Sequence, residues 1–502
     1  MKKLLRNLVL LLTAVALTCL SSCGIIADII EKVVDDDPTK NYPLTPDDDY
    51  VDEDLPSYIP LQDLSNGNSS HGYDYFRTAD DSVYKLALYA SLERVYETYD
   101  TYKDAEYKKV YNDNYAYVLA EVNYSGITSD EAISVWKTFR DDYPLAYWFD
   151  TSVYYSDSSL YIVTDAAYAK ASDRAVKRSR IQKTMSKYLY EARLQPTVYE
   201  QVMCLHDLII SDVDYAYNSS GQPSTEAWAH NVVGVVEKKG VVCEGYARTY
   251  QLALNLLGID NYFVTGVGGT GRDSGGHAWN LVNVDGGWYW VDPTWDDGNS
   301  SDYADYTYFL NTDDKFLTQH TYHTPDSATG EGVDFLYPLP ARATAEYKND
   351  DIWLAGASYK VGDITYKRSR YDGIEVVDVT KKYKSGIFFD TLQDRTLTVP
   401  ESIAYGDRDY AVTSVGDSAF RNRTDLTEVT LPNSLLRIRE EAFLGCNQIT
   451  KLTLGTGLEK IYDYAFYGCD KIKTVNYGGS EEDFAKVKIG RGNDGVKSVT
   501  FS

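Results

Sequence analysis

Reactive and metal-binding side chains are scarce in this chain of 502 residues, which holds 6 cysteines, 6 histidines and 3 methionines. No Cys-x-x-Cys pair occurs, which argues against a structural zinc site, and the cysteines are too few to staple a secreted scaffold. Positive charge is short as well. Lys and Arg number 49 against 75 Asp and Glu, leaving a net charge of −26. That balance argues against general nucleic-acid binding and against adhesion to anionic membrane surfaces. Past residue 23 no apolar run approaches the ~20 residues of a transmembrane helix. Phenylalanine stops at 14 while tyrosine reaches 46. Tyrosine joins a large contact area to a wet hydroxyl, which suits exposed recognition surfaces and equally the composition of a secreted protein. A hydrophobic fraction of 43% supports a sizeable core, and the length predicts two or three domains.

The chemistry gathers in three stretches: Gly240-Val-Val-Cys-Glu-Gly-Tyr-Ala247, Gly276-His-Ala-Trp-Asn280 and Trp288-Tyr-Trp-Val-Asp-Pro-Thr294. Cys243 falls where a loop turns into an apolar-periodic run (Tyr246, Leu252, Leu254, Leu256, Leu257) that Gly258 stops, so the thiol is expected in the first turn of a helix. Unpaired N–H groups and the positive dipole end there favour a thiolate. His277 opens an alternating segment, Asp285-Gly286-Gly287 predicts a hairpin turn, and Asp292 ends the second strand before Pro293. A thiol is mostly protonated at neutral pH. A neighbouring imidazole has to take its proton, and a carboxylate on the far ring nitrogen fixes the tautomer.

Val-Cys-Glu-Gly-Tyr-Ala, His-Ala-Trp-Asn and Val-Asp-Pro-Thr resemble the three core motifs of the bacterial transglutaminase-like superfamily, circularly permuted relatives of papain-type thiol enzymes. They stand in the family's order, 34 residues from Cys243 to His277 and 15 more to Asp292. The resemblance implies Cys243 as nucleophile, His277 as base and Asp292 as orienting carboxylate, acting without a cofactor or a metal. Trp279, Tyr246 and Trp295 are the candidate substrate contacts. The backbone N–H of Cys243 is one candidate oxyanion donor. For the second, His230, Asn231 and a tyrosine stay open. His320 resembles the terminal histidine that closes many such domains, and a metal pair of His320 with His323 lacks further ligands.

The rest of the chain divides around this core. Residues 1–23 pair a basic start (Lys2, Lys3, Arg6) with an apolar stretch from Leu8 to Leu20, and Leu20-Ser-Ser-Cys-Gly24 resembles a bacterial lipobox with Cys23 as the lipidated residue. Removing Cys19 with the signal and assigning Cys23 to lipid leaves Cys204, Cys243, Cys446 and Cys469. Residues 24–75 read as an acidic disordered tether. Residues 76–225 read as a helical extension with one or two strands. In it Lys177-Arg-Ser-Arg180 predicts a solvated helix face and His206 a buried structural histidine. The catalytic core is expected over 226–345 and a β cap over 346–410. Over 411–502, Ala419-Phe420, Ala442-Phe443 and Ala465-Phe466 recur every 23 residues, which predicts stacked units. They resemble the leucine-rich repeats of bacterial surface antigens, with two or three full units. Cys446 and Cys469 are then core positions. The fold expected is α+β: a papain/transglutaminase-like core with a helical N-terminal extension, followed by a short β-rich leucine-rich-repeat solenoid.

Two functions of different class follow. One is a lipid-anchored extracytoplasmic thiol enzyme that performs acyl transfer on a protein or peptide amide, either as transglutaminase or as cysteine peptidase or amidase. Its repeats would bind a host or cell-surface protein, and its membrane contact would be the lipid anchor. The other is a surface adhesion or recognition protein in which the thiol domain is a non-catalytic scaffold.

Overall fold

In the computed structural model the described residues run from 55 to 501, apart from 57–58, 79–82, 112–113, 238, 271–273, 298–305, 324–337, 363, 369–372, 380, 385–386, 391–394 and 497–498. The expected signal peptide with Cys23, and the tether as far as residue 54, lie outside them. The chain divides into two compact units between Tyr347 and Lys348.

The first unit runs α1 (His71–Thr78), α2 (Val83–Tyr99), β1 (Glu106–Tyr111), β2 (Asn114–Asn123), α3 (Ser129–Asp142), β3 (Val153–Tyr155), β4 (Ser159–Thr164), α4 (Ala171–Arg193), α5 (Val198–Asp212), α6 (Val232–Val236), α7 (Cys243–Leu257), β5 (Asn261–Gly268), β6 (Gly275–Val284), β7 (Gly287–Val291), α8 (Pro293–Asp296), α9 (Asp313–Phe316) and β8 (His320–Tyr322). Local chemistry sets several of these boundaries. Thr128 and Glu131 form a reciprocal capping box at the start of α3. Thr197 caps α5 immediately after Pro196. Gly258, at φ 76°, closes α7 in the left-handed conformation. Asp285 and Gly286 both have positive φ (52° and 85°), the two-residue turn that matches strand twist in a hairpin.

α7 is the spine of the unit. Tyr246, Ala247, Tyr250, Leu252, Ala253 and Leu254 are all buried, and the helix packs against β5 and β6 on one side and α5 and α6 on others. The antiparallel sheet it covers has the order β7-β6-β5-β8.

Three expectations need correcting here. The extension holds a four-stranded antiparallel sheet, β1-β2-β4-β3, rather than one or two strands. Its first strand carries Lys108 and Lys109 side by side, which hides the period of two. The tether is structured before residue 75: Ile59 and Leu64 are buried, and the Gln62 N–H donates to Ser186 Oγ at 2.7 Å. A few anchoring apolar groups suffice where a window average sees only polar chain. The basic run on α4 is no solvated face either. Lys177 and Arg180 both reach the buried Glu237 carboxylate, at 3.2 and 2.5 Å, and Arg178 pairs with Asp100 at 3.0 Å.

The second unit is built on two ladders of parallel strands. One stacks Thr396–Thr398, Glu428–Thr430, Lys451–Leu454, Thr474–Tyr477 and Val499–Phe501. The other stacks the end of Arg408–Val415 with Arg437–Ile438, Lys460–Ile461 and Lys488–Ile489. Each ladder thus runs beyond the regularly spaced units that the period of 23 reveals. Between rungs Phe420, Phe443 and Phe466 stack nearly parallel, at 4.9 and 5.1 Å between centroids. Burying such a ring is worth about 1.5–3 kcal/mol, so the repeat supplies its own core. The expected break at 410/411 falls inside the strand Arg408–Val415, which also pairs in parallel with Ile374–Val379. Cap and repeats therefore share one sheet, because the end of a stack leaves strand edges that need covering.

Candidate active site

Cys243 is the first residue of α7, after the extended Val242. Its half-buried side chain packs with Ala247, Phe263 and Ala278, so the thiol lies against β5 and β6 beside the residue that follows His277. None of the described cysteines is in a disulfide. The next residue, Glu244, ties the helix start to its surroundings. Its carboxylate accepts from Arg248 at 2.9 Å and Arg140 at 3.4 Å, and lies 3.1 Å from His230 Nδ1. Burial works against that charge, but Arg248, His230 and Arg140 outweigh it and hold Glu244 well below the usual carboxylate range.

His277 and Asp292 meet across the β6–β7 hairpin, with Nε2 2.6 Å from Asp292 Oδ2. The same Oδ2 lies 3.1 Å from His320 Nε2. The other oxygen, Oδ1, accepts from the N–H groups of Thr294 and Trp295 at 3.0 and 3.3 Å, making Asp292 the N-cap of α8. Burial again opposes the charge, and the two imidazoles outweigh it, so Asp292 is held well below its ordinary range. Burial pushes His320 down despite that contact. Trp295 stacks on the imidazole of His277 at 5.1 Å between centroids. Gly268 approaches so closely that a Cβ there would lie 3.0 Å from His277 Cδ2 and 2.9 Å from Trp295. Among the described residues His277, Asp292 and His320 form a set that could hold a metal, their ligating atoms lying within 4.8 Å of one another. Hydrogen bonds on a shared carboxylate oxygen already account for that proximity.

Other predicted contacts move. Trp279 is fully buried in the cluster of Val264, Leu281, Trp290 and Phe316, so it is a core residue and not a substrate contact. Tyr246 is also fully buried, its hydroxyl bonded to Asp297 and to the Val213 carbonyl. Trp295 is half-buried beside His277. The two named oxyanion candidates are engaged elsewhere: His230 Nε2 is 3.1 Å from the Ser224 carbonyl. Asn231 donates to the Ala227 carbonyl and caps α6 through Oδ1. Sequence reasoning missed Asp296. It is the fully buried last residue of α8, four positions after the N-cap and so one helical turn on, a spacing that could have found it.

Residues 185–293 match the family model of the transglutaminase-like superfamily, and residues 402–486 match six copies of the BspA type leucine rich repeat region. The chain thus joins a transglutaminase-like domain to BspA-type leucine-rich repeats in an α+β architecture. Among curated proteins, the kyphoscoliosis peptidase of Homo sapiens is 26% identical over 162 residues, covering 30% of this chain and 24% of that protein. Among solved structures, a leucine-rich repeat protein from Bacteroides capillosus is 23% identical, with a TM-score of 0.24, over 29% of this chain and 98% of the other. A transglutaminase (TGase) structure is 19% identical, with a TM-score of 0.22, over 28% of this chain and 43% of the other.

Proposed function

We propose that the protein is a thiol enzyme of the bacterial cell envelope, anchored through lipid on Cys23, that performs acyl transfer at protein or peptide amides. The supporting observation is the 2.6 Å pairing of His277 with Asp292 next to a helix start that carries Cys243. Cys243 gives its proton to His277 and its thiolate attacks the amide carbonyl carbon. The C–N bond then breaks as His277 returns the proton to the leaving amine, leaving a thioester on Cys243. Water or a second amine resolves the thioester, giving peptidase or transglutaminase chemistry. Asp292 holds the imidazole in orientation and balances its charge. Trp295 covers one face of the ring and contributes to the substrate cleft. The repeats bind a protein partner.

The test is intact-mass spectrometry after an electrophilic thiol probe, on the wild type, Cys243→Ala and His277→Ala. Fast labelling confined to Cys243 and lost without His277 is expected. Slow labelling indifferent to His277 would overturn the enzyme and leave a surface recognition protein with a thiol-domain scaffold.

A further inference from the structure

Below the candidate triad lies a second buried histidine that the proposed chemistry does not use. His206, on α5, is fully buried. Its Nδ1 lies 3.0 Å from Asp207 Oδ1 and its Nε2 3.2 Å from Asp296 Oδ2. Each contact joins a ring nitrogen to a carboxylate oxygen and so needs a proton. Two carboxylates and one imidazole therefore hold two protons and a net charge of −1 in a site walled by Tyr250, Tyr306 and Phe309. Burial works against charge on His206, but Asp207 and Asp296 outweigh it and push it up to about 9.

The outer atoms of the cluster lead to the triad. Asp207 Oδ2 accepts from the Tyr306 hydroxyl at 2.8 Å, and Asp296 Oδ1 from the Tyr308 N–H at 2.8 Å. The Tyr308 carbonyl in turn accepts from the Asp292 N–H at 3.1 Å, and the Asp296 N–H donates to the Asp292 carbonyl at 3.2 Å. Asp292 and Asp296 are thus the two ends of one turn, tied at both ends to one residue, and His206 grips the far end.

We propose that His206 is a positioning residue: its contact with Asp296 fixes the α8 turn and so aims the Asp292 carboxylate at His277. The proposal rests on the reading of Cys243, His277 and Asp292 as the active site.

Two substitutions separate positioning from bulk stability. In His206→Gln the amide nitrogen takes the place of Nε2 and keeps the bond to Asp296. In His206→Asn it takes the place of Nδ1 and keeps only the bond to Asp207. The readouts, on the full chain with ¹⁵N-labelled histidine, are the downfield proton of the His277–Asp292 hydrogen bond, identified by its loss in His277→Ala, and the labelling rate of Cys243. His206→Asn is expected to shift or abolish that proton and to slow labelling by about 10- to 100-fold, while His206→Gln keeps both near wild type. A proton unmoved in folded His206→Asn, or moved equally in both variants, overturns the proposal. A wild type with no such proton removes the site reading first and the proposal with it. Should His206→Asn not fold, Asp296→Leu, which deletes the gripped carboxylate, serves in its place. An unmoved proton there also overturns the proposal.

Discussion

The same side chain meets opposite fates in the two units. Cys243 stands at a helix start, half-buried and beside the His277 strand position. Cys446 and Cys469 sit between rungs of the repeat unit, where their thiols donate to the carbonyls of Phe420 and Phe443 at 3.0 and 3.2 Å. Burial pushes both of these up to about 12, so they are inert thiols that fill a slot. In the neighbouring repeat Arg423 fills the equivalent slot and pairs with Asp425 at 3.0 Å. The sulfurs therefore meet different surroundings, an apolar stack with one carbonyl in the repeats and a helix terminus beside the His277 strand at Cys243. The first unit buries ionisable groups, with Asp292 and Asp296 at the two ends of one turn. The second repeats an apolar layer.

The contrast can be broken in four ways, in falling order of effect. His277→Ala should slow labelling of Cys243 by about 10²- to 10⁴-fold, the usual contribution of a general base. A mass-spectrometric rate no lower than wild type would mean the two kinds of thiol are not distinguished by His277. Phe443→Ala removes the middle ring of the Phe stack and should cost about 3–5 kcal/mol in the repeat unit. Calorimetry should show that transition fall while labelling of Cys243 holds; a common loss of both would show the units to be coupled. Gly268→Ala presses a methyl on His277 and Trp295, and should slow labelling about tenfold with little change in Tm. The smallest effect is in pH. A thiol whose folded value is raised contributes stability in full below its unfolded value near 9 and loses it as pH rises toward 12. The repeat unit should therefore lose about 1 kcal/mol per buried thiol by pH 10, and the double variant Cys446→Ala, Cys469→Ala should lose none of it.

What could be read from sequence divides along the same line. Cys243 and Asp292 stand at helix starts and His277 two residues inside a strand that opens on Gly275, so their placement follows from local rules. The repeat likewise announces itself through a fixed spacing of Ala-Phe pairs. Burial depth does not follow from such rules. Trp279 and Tyr246 lie two and three residues from candidate catalytic groups, yet both face the core. Closeness in the chain says nothing about which side of a strand or helix meets solvent. His206 reads correctly as buried, but its partner Asp296 is 90 residues away, and no local pattern joins them. The extension's sheet is hidden because Tyr107 packs against Tyr115 and Tyr117 across its strands, giving aromatic residues where a polar face is sought.

The two ladders have a consequence for how such a chain can grow. A rung contacts only its neighbours, so inserting one whole period of 23 residues adds one strand to each ladder and one ring to the Phe stack, and leaves the other rungs in register. An insertion of any other length shifts Phe443 or Phe466 out of the stack. Reach at this end of the protein is thus quantised, and duplications can lengthen it in unit steps without rewriting the Asp292 turn.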